Sequence, residues 1–138
     1  MPIRPCGWSL HPRAAAALPA GIGHRHGAAA LPGLLAQSDI VINLLPLTPA
    51  TEGLLDATFF AALPRGAGVV NLARGAHVVD ADLLAALDRG QVGRAVLDVF
   101  HQEPLPPEHP YWQHPRVTLL PHVAAQTAPH SAAQVVAA

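Results

Sequence analysis

Short apolar, β-branched runs alternating with helix-length segments constrain this chain more than any other feature. Ile40 to Leu45, Gly68 to Leu72, Arg94 to Val99 and Val117 to Leu120 read as strands, and Ile3 to Ser9 as a weaker one interrupted by Pro5 and Gly7. The run Ile40 to Leu45 is apolar at nearly every position, the pattern of a strand covered on both faces. Between the runs, Leu31 to Gln37 offers a short helix with Pro32 in its first turn. Asp56 is placed to cap Ala57 to Leu63, which Pro64-Arg65-Gly66 stops, and Asp80 to cap Ala81 to Arg89, with Gly90 as its stop. Leu83, Leu84 and Leu87 form one apolar face of that last helix, and Ala128 to Ala138 is a further helix candidate. Strands alternating with helices predict an α/β fold built on a parallel sheet. The Ala-, Pro-, Gly- and His-rich stretch His11 to Ala30 is the least defined part.

The 138 residues correspond to one domain by length, and 51% hydrophobic content supports a packed core. With 12% charged residues and a net charge of −1 there is no basic footprint for nucleic acid. The nine histidines are scattered, and His24-x-His26 has no cysteine or carboxylate close in sequence, so no metal site is expected. The single cysteine, Cys6, excludes an intrachain disulfide framework and fits a reducing compartment. No apolar run has transmembrane length, and Met1 to Leu10 lacks the apolar core of a secretory signal, so the expectation is a cytoplasmic protein without a membrane partner. The 15 prolines and 11 glycines cluster at element ends, where they act as punctuation.

Three polar groups stand where apolar runs stop: Arg74 in V-N-L-A-R-G, Glu103 in D-V-F-H-Q-E-P, and His122 in L-L-P-H-V-A-A. Ligands of open parallel sheets sit at the carboxyl ends of strands. An arginine, a glutamate and a histidine on successive strand ends would make an anion clamp and an acid/base pair. Each alone also reads as a surface arginine, a loop glutamate or a stray histidine; the ordered set carries the inference.

The series N-L-L-P-L-T-P-A-T-E-G, V-V-N-L-A-R-G-A-H-V-V-D, A-L-D-R-G, A-V-L-D-V-F-H-Q-E-P-L-P and H-P-R-V-T-L-L-P-H-V-A-A, spanning about residues 38 to 130, resembles the D-2-hydroxyacid dehydrogenases, in particular their glyoxylate/hydroxypyruvate reductase branch. The resemblance implies a Rossmann-like sheet and places substrate carboxylate binding on Arg74, the acid/base role on His122, and the orienting carboxylate on Glu103. Glu103 would favour the protonated form of the histidine, so Glu103→Gln in a complete enzyme should lower the pH optimum for reduction. It also implies cofactor contacts at Leu45, Pro46, Thr51, Leu72 and Ala73, with Asp98 accepting from the nicotinamide amide. Ser9 and Arg13 fall where the adenosine ribose is read, and an arginine there favours NADP(H), with NAD(H) as the alternative. The partners implied are a small 2-oxoacid and a second subunit in a homodimer.

The departures are equally specific. No strand, G-x-G-x-x-G turn and helix open the chain, and Gly21-x-Gly23-x-x-x-Gly27 has the wrong spacing to hold phosphate. The expectation is an incomplete Rossmann-like sheet flanked by helices and lacking the first β-α unit. Residues 1–138 would then be a partial NAD(P)-binding domain, with 128–138 the start of a return helix to a substrate domain. Such a chain alone should be a poor catalyst. The competing expectation is a non-catalytic remnant that acts as an oligomerisation or protein-binding module through an unpaired sheet edge and apolar faces.

Overall fold

The computed structural model describes residues 2–13 and 20–124. Strand β1 (Cys6–Ser9) pairs in parallel with β2 (Gly23–His26). A second, four-stranded parallel sheet runs β3 (Ile40–Asn43), β4 (Ala67–Asn71), β5 (Val92–Leu97), β6 (Val117–Leu119) in that order. Parallel neighbours need crossover connections. Helices α1 (Leu31–Leu35), α2 (Ala57–Ala61) and α3 (Asp80–Asp88) lie on the connections into β3, β4 and β5. In a doubly wound sheet of order 3-2-1-4-5-6, the first strand joins the two halves. Here the six strands among the described residues stand as two sheets, β1-β2 and β3-β4-β5-β6.

One face of the larger sheet holds the core. Val69, Ala95 and Leu97 join Phe59, Phe60, Leu83, Ala86 and Leu87 of α2 and α3 in one buried cluster. The Val, Leu and Phe side chains among them contribute about 1.5–3 kcal/mol each on full burial. The other face departs from expectation. Ile40, Ile42 and Leu44 are 66%, 56% and 70% exposed, so the run predicted to be covered on both faces is covered on one. The β-branched pattern specifies a strand; it does not specify what packs over it.

Other departures are local. The parallel strand β2 lies in the segment that the sequence left undefined, because Gly23–His26 has no apolar periodicity and is held by backbone pairing to β1. Asp56 caps α2 as expected, its Oδ1 accepting from Phe59 N at 2.8 Å. Asp80, by contrast, is inside α3, and Val79 precedes the helix. The Asp80 carboxylate is turned to the loop after β5 instead, accepting from Tyr111 Oη at 2.7 Å with His109 Nε2 at 3.6 Å. Leu83 and Leu87 are buried fully, while Leu84 is only partly covered. The helix expected over 128–138 lies outside the described residues. No helix among the described residues is long and apolar enough to cross a membrane, and no group of three metal-ligating side chains converges there.

Candidate active site

Because every strand of the larger sheet is parallel, the loops that leave β3, β4, β5 and β6 emerge at one edge. They carry Leu45, Pro46 and Thr51, then Leu72, Ala73 and Arg74, then Asp98 and Glu103, and finally His122. The sequence placed ten of its eleven candidate residues on five strand ends, with Ser9 ending β1; Arg13 lies four residues beyond.

Glu103 and His122 form the chemical pair. Oε2 of Glu103 accepts from Nδ1 of His122 at 2.7 Å, and Oε1 accepts from the backbone N–H of Phe100 at 2.9 Å. The His122 bond, then the Phe100 bond, hold the Glu103 carboxyl below the usual carboxylate range against a smaller burial penalty, with the charge of His122 and, least of all, that of Arg74 adding to the effect. An ionised carboxylate only accepts, so Nδ1 carries a proton and Nε2 is the ring position left for chemistry. Both side chains stay partly open to solvent, at 48% for His122 and 37% for Glu103. Beside them a cavity of about 720 Å³ is walled by Phe100, Leu105, Trp112 and Leu119.

His122 has a φ of 56°, in the left-handed region that non-glycine residues enter at a cost. Asp98 shows how that backbone is held. Its side chain is buried, and its two oxygens accept from the backbone N–H groups of Val123 and Ala124, both at 2.9 Å. Asp98 thus anchors the two residues that follow the histidine. Leu120 N, donating to Leu97 O at 2.9 Å, fixes the approach from β6.

Arg74 is exposed, with Nη1 donating to Ala73 O. The glycine after it is required by packing. A Cβ at Gly75 would collide with the backbone carbonyl of Phe100 and the amide of His101, so the Arg74 turn and the Glu103 loop can touch only through a residue without a side chain. His101 Nε2, 2.7 Å from Val78 O, fastens the same two segments.

The remaining candidates are arranged through backbone. Thr51 is buried, and its hydroxyl is spent inside its own loop, donating to Pro46 O at 2.8 Å and accepting from Thr48 N at 2.9 Å. Leu45 N and Ala73 N donate to the side-chain oxygens of Asn43 and Asn71 at 3.1 and 3.2 Å, while Leu72 N donates to Asn43 O at 3.2 Å. Ser9 Oγ lies 2.6 Å from His11 O and 3.0 Å from His24 Nε2, and Arg13 is exposed. Sequence reasoning missed Asn43, Asn71, His77 and His101. The first two had a signal: I-V-I-N and G-V-V-N end adjacent strands in the same polar residue, and the structure pairs Asn43 with Asn71 in register.

Residues 14–124 match the family described as D-isomer specific 2-hydroxyacid dehydrogenase, NAD binding domain. The chain belongs to that family. Among solved structures it is similar to a D-isomer specific 2-hydroxyacid dehydrogenase from Xanthobacter autotrophicus Py2 in complex with NADPH and MES, at 46% identity and a TM-score of 0.87, over 96% of this chain and 53% of that one. It is also similar to the NADPH-dependent glyoxylate/hydroxypyruvate reductase of Sinorhizobium meliloti in complex with NADP and sulfate, at 38% identity and a TM-score of 0.85, over 97% and 42%. Phosphoglycerate dehydrogenase from Lactobacillus plantarum matches at 33% identity and a TM-score of 0.79, over 94% and 40%. The chain therefore spans about half, or less, of the length of these 2-hydroxyacid dehydrogenase relatives.

Proposed function

We propose that this chain is the substrate-facing part of the nucleotide domain of a 2-oxoacid reductase of the glyoxylate/hydroxypyruvate type, preferring NADP(H). The observation that carries the reading is the Glu103–His122 bond, at 2.7 Å, on a loop against which the turn after Arg74 packs through Gly75. Arg74 holds the substrate carboxylate, since a guanidinium is always charged and offers paired donors to a planar anion. His122 gives its Nε2 proton to the substrate carbonyl oxygen as that oxygen takes the electron pair of the broken π bond, leaving a hydroxyl. Glu103 keeps the ring oriented and offsets the charge change.

The nicotinamide supplies the hydride when bound. The residues present fit that end of a dinucleotide, because Asn43 and Asn71 fix the loops after β3 and β4 beside Arg74 while Asp98 steadies the His122 loop. Asp98 has lone pairs left for an amide, and Ser9 and Arg13 flank the β1 end for an adenosine ribose. The glycine-rich diphosphate turn has no counterpart among the described residues, so weak nucleotide binding and no measurable glyoxylate reduction are expected of the chain alone. Losing reactant positioning forfeits effective molarities of about 10⁵–10⁸ M.

Fluorescence of Trp8 and Trp112 during NADPH titration tests the reading. Saturable quenching that competes with NADP⁺ supports it; assembly with rising protein concentration and no nucleotide response favours a binding module. The exposed Ile40, Ile42 and Leu44 are the observation that keeps this second reading, and with it a homodimer, in play.

A further inference from the structure

One buried titratable side chain in the site has no part in the mechanism above. His77 is fully buried at the end of the turn Gly75–His77, and each of its ring nitrogens faces a carbonyl: Arg74 O lies 3.1 Å from Nδ1, and Pro46 O lies 3.4 Å from Nε2. Both carbonyls have another side-chain donor, Asn71 Nδ2 at 2.9 Å on Arg74 O and Thr51 Oγ1 at 2.8 Å on Pro46 O. Asn71 Oδ1 in turn accepts from Asn43 Nδ2 at 3.0 Å, and Asn43 Oδ1 from Leu45 N at 3.1 Å, next to Pro46. The chain of contacts from His77 through Arg74, Asn71, Asn43 and Leu45 thus returns to Pro46 and to His77.

We propose that His77 is a positioning residue for Arg74: its Nδ1–H sets the Arg74 carbonyl, and so the direction in which the guanidinium leaves the turn, relative to the nucleotide-side loop Leu45–Thr51. The inference rests on the reading of Arg74 as the anion clamp. A neutral imidazole donates from one nitrogen, and the shorter approach gives that proton to Nδ1, which leaves Nε2 beside Pro46 O as a packing contact without a hydrogen bond. The ring is not what holds the two loops together. Gly53 N donates to Ala76 O at 2.8 Å and Leu55 N to His77 O at 2.9 Å, so the backbone keeps them joined when the ring is changed. The Arg74 carbonyl also accepts from His77 N at 3.3 Å and Asn71 Nδ2 at 2.9 Å, and the ring is the third donor that narrows the orientation of that peptide. Buried side chains joined by hydrogen bonds fix a conformation more narrowly than apolar packing does.

The test uses the 138-residue chain and its His77→Phe, His77→Asn and His77→Gln variants, with oxalate as the probe anion and melting followed in parallel. An asparagine amide reaches the place of Nδ1, and a glutamine amide that of Nε2. The expected result is an imidazole ¹⁵N spectrum with the proton on Nδ1, Arg74 Nε and Gly75 amide signals displaced in His77→Phe and restored in His77→Asn, and oxalate bound at least tenfold more weakly by His77→Phe and His77→Gln. A proton on Nε2, or a folded His77→Phe with wild-type Arg74 signals and oxalate affinity, overturns the proposal. If His77→Phe does not fold, the two amide variants decide, with equal displacement in both counting against it. Failure of the wild-type chain to bind oxalate counts against the anion clamp itself, while the ring spectrum and the Arg74 signals still judge His77.

Discussion

Asp98 holds His122 in place without touching its ring: it accepts from the backbone N–H groups of Val123 and Ala124, the two residues after a histidine whose φ is 56°. The carboxylate at the end of β5 therefore supports the conformation of the loop that follows β6. Replacing Asp98 with alanine leaves two backbone donors without that partner and frees a strained turn. We expect a loss of about 1–3 kcal/mol in urea unfolding, together with loss of the His122–Glu103 hydrogen-bond signal in NMR. Asp98→Asn keeps one acceptor and should fall between.

Glu103 predicts an acid dependence of stability. Its carboxyl is lowered in the folded chain by His122 first and Phe100 second. A group lowered on folding contributes stability above its unfolded value, and that contribution is lost as pH falls through the lower, folded value. Wild type should therefore exceed Glu103→Gln in stability at neutral pH, and the gap should close below the usual carboxylate range. At this exposure the pair is worth about 1 kcal/mol or less, which thermal melts in parallel across pH will read.

Gly75→Ala should be severe. The added methyl group meets the Phe100 carbonyl and the His101 amide, which are backbone atoms and cannot rotate away. A loss of about 3 kcal/mol or more is expected in urea unfolding, at the upper end of single substitutions. Gly33→Ala, inside α1 with nothing within 4 Å of the added methyl group, is the control and should be neutral or stabilising by up to about 1 kcal/mol.

The uncovered face of β3 makes a separate prediction. Ile42→Lys places a charge on a residue that is 56% exposed, so folding stability should change little, by about 0.5 kcal/mol or less. Sedimentation should show reduced self-association if that face drives assembly, and the same distribution as wild type if it does not.

The parallel α/β character of the larger sheet and the placement of the reactive groups after its strands were readable because both rest on local chemistry. Apolar runs ending in a lone charged residue gave β4 with Arg74, and a terminal proline-histidine pair gave β6 with His122. What the sequence withheld depends on partners distant along the chain. β2 exists through pairing with β1, Asp80 serves Tyr111 instead of a helix end, and Thr51 turns its hydroxyl onto Pro46. The exposure of Ile40 and Ile42 is of the same kind, since an apolar strand reads alike whether or not a helix covers it. His77 looked like one more scattered histidine because neither carbonyl it faces is visible in the order of residues.

We propose Arg74, Glu103 and His122 as a working reductase set. The most direct measurement joins this chain to the remaining parts of the Xanthobacter autotrophicus relative, 46% identical over the shared region, and follows glyoxylate-dependent oxidation of NADPH. The chimera should turn over, and His122→Gln should reduce kcat by about 10²–10⁴-fold, the usual contribution of a positioned acid/base group. Arg74→Ala should abolish saturation by glyoxylate. A soluble, nucleotide-binding chimera that reduces glyoxylate equally well with His122→Gln would contradict the account.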